Sequence, residues 1–175
     1  APHLADLPGV EVLVVSHGLK SVPLYAVQAA IALGAGRVDF ASDDGEALDL
    51  GERLGARPVR TAFGKPERRY PIVVEGGITP AGLGYAVRST APEGVCQSVS
   101  FYAGGDVPLP LGRMYTLGIR FVIGRAHSAA LLPVVMPLIE QGRLRPQDVT
   151  TRVVDWEDAP VAYLEPAVKL VVRRT

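Results

Sequence analysis

Short apolar segments without polar alternation recur along the chain, with helical patterns between them. Residues 10–15, VEVLVV, are almost continuously apolar, which is typical of a parallel strand covered on both faces. Residues 22–33 are apolar on every side and rich in alanine, and Gly34 follows, which predicts a packed helix. The same criteria predict strands at 37–41, 58–61, 72–74, 95–101 and 119–123 and helices at 43–54, 81–91 and 127–141.

Two segments contain strong breakers of regular structure. Pro92 is expected to end the helix at 81–91, because proline cannot continue a helix. Residues 103–112, AGGDVPLPLG, are expected to be irregular because glycine and proline dominate them. The chain therefore repeats strand and helix units, with one irregular loop before the last strand of the series.

This order predicts the α/β class, as a doubly wound, parallel, six-stranded Rossmann-like sheet with helices on both faces. We expect this domain to occupy residues 1–150. Strands predicted at 151–154 and 168–172 enclose a short helix near 157–164, which forms a small C-terminal strand-helix-strand appendage over 151–175. Ligands of such sheets bind beyond the carboxyl ends of the strands, so the turns after the first, second, fourth and fifth strands are the candidate site.

Composition excludes several classes of partner. Eighteen basic and eighteen acidic residues cancel, so no bulk charge favours nucleic acid or an anionic membrane. Cys96 is the only cysteine and sits within a predicted strand as a core residue, which excludes an internal disulfide or a zinc site of several thiolates. No apolar run approaches the roughly 20 residues of a membrane span, and the opening APHLADLPG lacks the features of a signal peptide. A cytoplasmic location is expected.

The turn after the first strand, SHGLKSVP, lies where a dinucleotide-binding sheet has its glycine-rich phosphate loop. Gly18 occupies the tight-turn position, whereas Lys20 and Pro23 replace the other two glycines. The Lys20 ammonium is suited to contact phosphate in place of the lost backbone contacts. The alternative is that Ser21 caps the helix and Lys20 is a solvated loop residue.

The turn after the second strand is the expected position of an acid that binds the adenosine ribose. Ser42, Asp43 and Asp44 are the candidates, with Ser42 and Asp43 nearest the strand end, and the absence of a following arginine favours NAD over NADP. The alternative is that the acids of this turn cap and charge the N-terminus of a helix.

A longer likeness covers nearly the whole chain. VLVVSHGLKSVPLYAVQAAIALGAGRVDFASDDGEALDLGERLGA resembles the cofactor-domain core of the zinc-containing medium-chain alcohol dehydrogenases, and RSTAPEGVCQSVSFYAGGDVPLPLGRMYTLGIRFVIGRAHSAALLPVVMPLIEQGRL, followed by WEDAPVAYLEPAVKLVV, is similar to the later part of that family. The resemblance implies NAD(P)-dependent hydride transfer between an alcohol and a carbonyl. It places the zinc ligands and most of the substrate pocket in an N-terminal catalytic domain outside this sequence, so no catalytic or metal residue is assigned here and the chain alone is expected to be inactive.

The resemblance also implies cofactor-binding residues. They are Gly18, Leu19 and Lys20 at the pyrophosphate, Ser42 and Asp43 at the adenosine ribose, Ser100 and Phe101 at the nicotinamide, and Lys169 as a further basic group at the pyrophosphate. Ser16, His17 and Pro23 stand where the family commonly has glycine, and Ser42 where it has an acid. The expected cofactor is NAD, with NADP as the alternative.

Members of this family often dimerise by pairing the sixth strand, and residues 119–123 resemble that edge, so a homodimer is expected. Two hypotheses remain open. The first is an oxidoreductase whose cofactor domain is this chain. The second is a non-catalytic relative in which the eroded loop no longer binds cofactor and the domain serves in dimerisation or sensing.

Overall fold

The computed structural model describes residues 8–174. Residues 1–7, which open the predicted 1–150 domain, lie outside the described residues. Six strands form one parallel sheet in the order β3-β2-β1-β4-β5-β6. They are β1 Glu11–Val15, β2 Arg37–Ser42, β3 Arg57–Arg60, β4 Tyr70–Glu75, β5 Thr90–Ser98 and β6 Arg120–Val122. The predicted six-stranded, doubly wound sheet is confirmed.

Helices connect and cover these strands. They are α1 Ser21–Ala32, α2 Gly45–Arg53, α3 Pro80–Arg88, α4 Leu111–Thr116, α5 Ser128–Glu140 and α6 Ala159–Ala162, with 3₁₀ turns at Pro146–Val149 and Trp156–Asp158. Strands β7 Arg152–Asp155 and β8 Leu170–Arg173 pair in parallel as a separate two-stranded sheet, as the predicted C-terminal appendage requires. None of the helices in the described range combines the length and apolar character needed to cross a membrane.

Alternate residues of β1 contact opposite faces of the sheet. Val12 and Val14 pack in the cluster that contains Leu24 of α1, whereas Leu13 and Val15 pack in the cluster that contains Leu83 of α3. Both clusters are buried, which explains why β1 lacks polar alternation. The absence of alternation, read from the sequence, therefore located the centre of the sheet correctly.

The prediction that Pro92 ends the third helix was wrong. Helix α3 ends at Arg88, and Pro92 lies inside β5. The Ser89 and Thr90 hydroxyls donate to the carbonyl oxygens of Tyr85 and Ala86, which satisfies the last turn of α3. Proline is tolerated in β5 because the β4–β5 register shifts between the pairs formed by Tyr70 and Ile72, as in a β-bulge.

Two further predictions differ from the structure. Strand β5 ends at Ser98, so Ser100 and Phe101 belong to the following loop and not to the strand predicted at 95–101. The segment expected to be irregular leads into α4, which begins at Leu111. Buried Met114 anchors this short helix, and Gly118, at φ +64°, ends it. Pro110 before the helix and Gly118 after it are the signals that would have indicated it.

Candidate functional site at the carboxyl edge of the sheet

His17 is the side chain on which the loops at the carboxyl edge of the sheet converge. Its ring stacks on Phe63 with centroids 4.1 Å apart, its Nδ1 lies 2.6 Å from Thr79 Oγ1, and its Nε2 lies 3.4 Å from Asp43 Oδ2. Thr79 Oγ1 already accepts a hydrogen bond from Gly82 N, so its own proton is available to Nδ1. The other ring nitrogen, Nε2, faces the Asp43 carboxylate. His17 thus connects the loops after β1, β2, β3 and β4.

Glycines after β4 allow the loops to approach so closely. A Cβ at Gly77 would lie 2.8 Å from the carbonyl oxygen of His17, and one at Gly82 would lie 3.0 Å from His17 Cβ. A Cβ at Gly76 would lie 2.8 Å from Cγ of Pro23. The bulky residues that stand in the predicted phosphate loop are therefore accommodated by glycines in the opposite loop. The Gly76–Gly77 pair was the sequence signal for this approach.

Gly18 forms the turn between β1 and α1 with φ +85°, a conformation that favours glycine. A Cβ there would also lie 3.0 Å from Ile78 Cγ1. The neighbouring Leu19 presents its carbonyl oxygen to the Ser16 hydroxyl, at 2.7 Å. The backbone of the predicted pyrophosphate loop is thus a tight turn directly before the N-terminus of α1.

Lys20 is held by two carboxylates of the neighbouring helix. Its Nζ lies 2.7 Å from Asp44 Oδ2 and 3.2 Å from Glu46 Oε2. The hydrogen bond with Asp44 raises the pKa of Lys20 and lowers the pKa of Asp44. Asp44 also caps α2 by accepting from Ala47 N at 2.8 Å. Lys20 is therefore ion-paired and not a free loop cation.

A basic residue that was not expected from the sequence lies beside the turn after β2. Ser42 is buried, and its Oγ accepts from Asp44 N at 3.2 Å, whereas the Asp43 side chain is 51% exposed. Arg60 pairs in register with Ser42, and its Nη1 donates to the Asp43 carbonyl oxygen at 3.3 Å. The sequence has no arginine directly after β2, but Arg60 reaches this turn from the end of β3.

Ser100 and Phe101 lie at the other end of the edge, in the loop after β5. Phe101 is 83% exposed, and Ser100 Oγ is buried without a hydrogen-bond partner among the described residues. Together with residues 123–126 after β6, they line a cleft of about 520 Å³. The structure thus brings the two predicted nicotinamide residues to one cleft.

Glu75, at the end of β4, is a fully buried acid that the sequence argument did not single out. Its Oε2 accepts from Ser98 Oγ at 2.7 Å, whereas its Oε1 has no partner within the described chain. Burial raises the pKa of Glu75, although the hydrogen bond from the Ser98 hydroxyl opposes the rise. A single acid between an apolar strand and a glycine pair was the available signal.

Lys169 lies apart from these loops in its contacts. Its backbone forms hydrogen bonds with Thr151 beside the β7–β8 sheet, and none of its hydrogen bonds within residues 8–174 reaches the turns after β1 or β2.

Within residues 8–174, no three histidine, cysteine or acidic side chains lie close enough together to hold a metal ion. Cys96 is buried in β5, and burial raises its pKa to about 12, as expected of a core thiol.

Solved structures share this fold over nearly the whole chain. Alcohol dehydrogenase TADH from Thermus sp. ATN1 superposes with a TM-score of 0.84 and 28% identity, over 95% of this chain and 53% of that one. The chain has the fold of the cofactor-binding part of zinc-dependent alcohol dehydrogenases. This confirms the resemblance seen in the sequence. No protein-family model matches the chain, and no curated protein matches it significantly.

Two structures of this dehydrogenase fold contain a nicotinamide cofactor. A protein described as a zinc-binding dehydrogenase from Sinorhizobium meliloti 1021, bound to NADP, matches with a TM-score of 0.78 and 19% identity over 99% of this chain and 55% of its own. An alcohol dehydrogenase from Escherichia coli CFT073, complexed with NADH, matches with a TM-score of 0.79 and 17% identity over 98% of this chain and 56% of its own. The chain spans about half the length of the dehydrogenases it matches.

Proposed function

We propose that the chain binds a nicotinamide dinucleotide at the carboxyl edge of its sheet, as the cofactor domain of an alcohol dehydrogenase-like oxidoreductase. The observation that carries this proposal is the Gly18 turn, at φ +85°, between buried β1 and the N-terminus of α1. The sheet order reverses between β1 and β4, and ligands of such sheets bind at that switch point. The tight turn and the free N–H groups that begin a helix suit a pyrophosphate there.

The roles expected of individual residues follow the order of the loops. The pyrophosphate is expected to contact Gly18, Leu19 and Lys20, with Lys169 as a further basic group. The adenosine ribose is expected to contact Ser42 and Asp43, and the nicotinamide is expected to contact Ser100 and Phe101. When bound, the oxidised nicotinamide would accept a hydride from an alcohol, and the reduced nicotinamide would donate one to a carbonyl. The substrate pocket and the zinc that polarises the substrate oxygen belong to a catalytic domain outside this sequence. The chain by itself is then inactive.

The adenosine end of this site fits a dinucleotide well. The Asp43 carboxylate is half exposed at the end of β2, where a ribose hydroxyl would be bound. The Arg60 guanidinium lies beside the same turn, which suits the 2′-phosphate of NADP. The sequence argument for NAD depended on the absence of such an arginine. We therefore propose that NADP is bound at least as tightly as NAD.

The pyrophosphate end fits less well, and this favours a second candidate function. His17 occupies the space between the loops after β1 and β4, and Lys20 is neutralised by Asp44 and Glu46. A dinucleotide must displace these contacts. The competing proposal is a non-catalytic relative in which this closed site no longer binds cofactor and the domain serves in dimerisation or sensing.

A titration with NADH and NADPH, followed by the fluorescence of the reduced nicotinamide, separates the two proposals. Gly18→Ala places a residue with a side chain at a positive φ in the proposed phosphate loop. Gly34→Ala is the control, because it introduces the same kind of strain, at φ +93°, after the opposite end of α1, where a Cβ meets nothing within 4 Å. Cofactor binding predicts that Gly18→Ala weakens affinity by about tenfold or more while Gly34→Ala changes it by less than about twofold.

The closed-site proposal predicts a different result. The folded wild type then binds neither cofactor, and His17→Gly, which empties the space between the loops, gains measurable binding. Equal loss of affinity in both alanine variants would argue against binding at the Gly18 turn.

Two further properties are proposed with this function. The edge strand β6, with Ile123 at its end 56% exposed, supports a homodimer that pairs through residues 119–123. A cytoplasmic location is supported by the single buried cysteine, which forms no disulfide.

A further inference from the structure

A cavity of about 290 Å³ lies beside the edge strand β3, away from the Gly18 turn. The chain between β3 and β4, residues 61–69, forms no helix, so this part of the sheet face lacks the helical cover found elsewhere. Tyr70 of β4 and Tyr85 of α3, both almost fully buried, form its wall. We call this space the β3 cavity.

The β3 cavity is lined by more cations than acids. Five basic and two acidic residues line it, although the whole chain is neutral. The basic residues are Arg37, Arg57, Arg60, Lys65 and Arg68, and the acids are Asp39 and Glu67. The excess of three positive charges is therefore a local feature of this concave surface.

The buried acid of the cavity, Asp39, already accepts hydrogen bonds from side chains of the protein. Asp39, 1% exposed, accepts two hydrogen bonds from Arg37, at 2.8 and 2.7 Å, and one from the Tyr70 hydroxyl at 2.6 Å. Burial alone would raise the pKa of Asp39, but these bonds and the nearby Arg57 outweigh it and hold the pKa below its usual range. Asp39 therefore neutralises Arg37 and forms no ion pair with the other cations of the cavity.

Arg68 is fixed at the rim. Its Nη2 lies 2.7 Å from Glu11 Oε2, and its guanidinium lies over the Tyr70 ring, 5.5 Å from the centroid. Arg57 and Lys65, by contrast, form no ion pair with any residue in the range 8–174. Their charges face a cavity whose other donors are already held in place.

We propose that the β3 cavity binds a compact phosphate-bearing anion, with Arg57 and Lys65 as the main cationic contacts. A guanidinium presents parallel N–H donors that match phosphate oxygens, and an ammonium adds a point charge. Arg57, Arg60 and Lys65 form no ion pair within residues 8–174, and these three cations beside a neutral Arg37–Asp39 pair favour a ligand with at least two negative charges. Arg37 and Arg68 are already held by Asp39 and Glu11, so they lose little conformational entropy when such a ligand binds.

The test is a calorimetric titration of the whole chain with inorganic pyrophosphate at low ionic strength. Wild type is compared with Arg57→Gln, Lys65→Gln and the double variant. Arg120→Gln removes a charge at β6, the opposite edge of the sheet, and is the matched control. Lys20→Gln reports whether pyrophosphate binds instead at the Gly18 turn. Circular dichroism establishes that each variant is folded.

Saturable binding to wild type is expected, with each single cavity variant weakening it by about tenfold. Arg120→Gln should change it by less than about twofold. No saturable binding by folded wild type, or equal losses in all charge variants, would overturn the proposal. Loss in Lys20→Gln with the cavity variants unaffected would also overturn it, because the anion would then lie at the Gly18 turn. Tighter binding of citrate than of pyrophosphate would overturn the assignment to phosphate.

Discussion

The Arg60 guanidinium donates a hydrogen bond to the carbonyl oxygen of Asp43, 3.3 Å away, at the turn proposed to hold the adenosine ribose. A phosphate on that ribose would gain a charge-assisted hydrogen bond from Arg60, and NAD lacks the phosphate. Arg60→Gln is therefore expected to weaken NADPH binding by about tenfold and to leave NADH binding within about twofold. Competitive fluorescence titrations measure both affinities.

Arg69→Gln is the matched control, because Arg69 is an exposed arginine of the β3–β4 loop outside this turn. It should leave both affinities unchanged. An equal loss of NADPH and NADH affinity in Arg60→Gln would show that Arg60 does not contact the 2′-phosphate.

The ion pair between Lys20 and Asp44 gives a second prediction. Asn keeps the hydrogen bond that caps α2 but removes the negative charge, so Asp44→Asn releases Lys20 toward a pyrophosphate. We expect tighter NADPH binding, by about threefold to tenfold, and a stability change below about 1 kcal/mol, because both side chains are about one-third exposed. Calorimetry and urea denaturation provide the two values. Weaker binding in Asp44→Asn would show that Lys20 is not a pyrophosphate contact.

The buried acid Glu75 predicts a pH-dependent stability. Its pKa is raised in the folded chain, so the folded state binds the proton more tightly than the unfolded state. Its favourable contribution is fully present below the unfolded pKa and is lost as the pH rises through the folded pKa. Glu75→Gln removes this dependence. The free energy of unfolding of the variant, relative to that of the wild type, is expected to be about 1–3 kcal/mol higher at pH 8 than at pH 4.

Urea denaturation across this pH range measures the effect. Glu140→Gln, at an exposed position of α5, serves as the control and should leave the pH dependence of stability unchanged. A Glu75→Gln variant whose stability follows the wild-type pH profile would contradict the assignment of that dependence to Glu75.

The close approach of the loops after β1 and β4 makes Gly77 sensitive to substitution. In Gly77→Ala the new Cβ meets backbone atoms of His17, which cannot rotate away. The expected loss of stability is about 1–3 kcal/mol. Gly64→Ala, where a Cβ meets nothing within 4 Å, should be neutral or slightly stabilising. Thermal unfolding of the two variants compares them directly, and equal stabilities would mean that the loops are not packed as closely as the structure has them.

Dimerisation through β6 predicts an effect of charge at its exposed end. Ile123→Glu places two like charges near each other across a two-fold axis and should convert a dimer to a monomer. Leu132→Glu, at an exposed apolar position of α5, is the control and should remain dimeric. Light scattering coupled to size-exclusion chromatography gives the mass. A monomeric wild type, or dissociation in the control alone, would exclude this interface.

The fold was predictable because its strands are marked by burial on both faces. Continuous apolar runs such as residues 10–15 are typical of strands covered on both faces, and the helices between them favour parallel pairing. The end of α3 was predicted wrongly from Pro92, because a proline at a β-bulge cannot be distinguished in the sequence from a proline that follows a helix. Helix α4 was missed since its six residues are too few for a periodic pattern.

The candidate site was less predictable because it depends on contacts between distant residues. Gly18 and Asp43 follow strands and could be placed from strand order alone. Arg60 required the register of β2 against β3, which the sequence does not specify. The stacking of His17 on Phe63 required the conformation of the β3–β4 loop, which has no periodicity. The sequence therefore predicted which residues lie at the strand ends, but it did not predict which of their side chains contact one another.

The most direct test of dinucleotide binding is to map NADPH on the isotopically labelled chain by amide chemical shifts in NMR spectra. Dinucleotide binding at the carboxyl edge predicts saturable shifts centred on Gly18, Lys20, Asp43 and Arg60, at the carboxyl ends of β1, β2 and β3. The absence of shifts in a folded sample, or shifts confined to Arg57 and Lys65 at the β3 cavity, would contradict it.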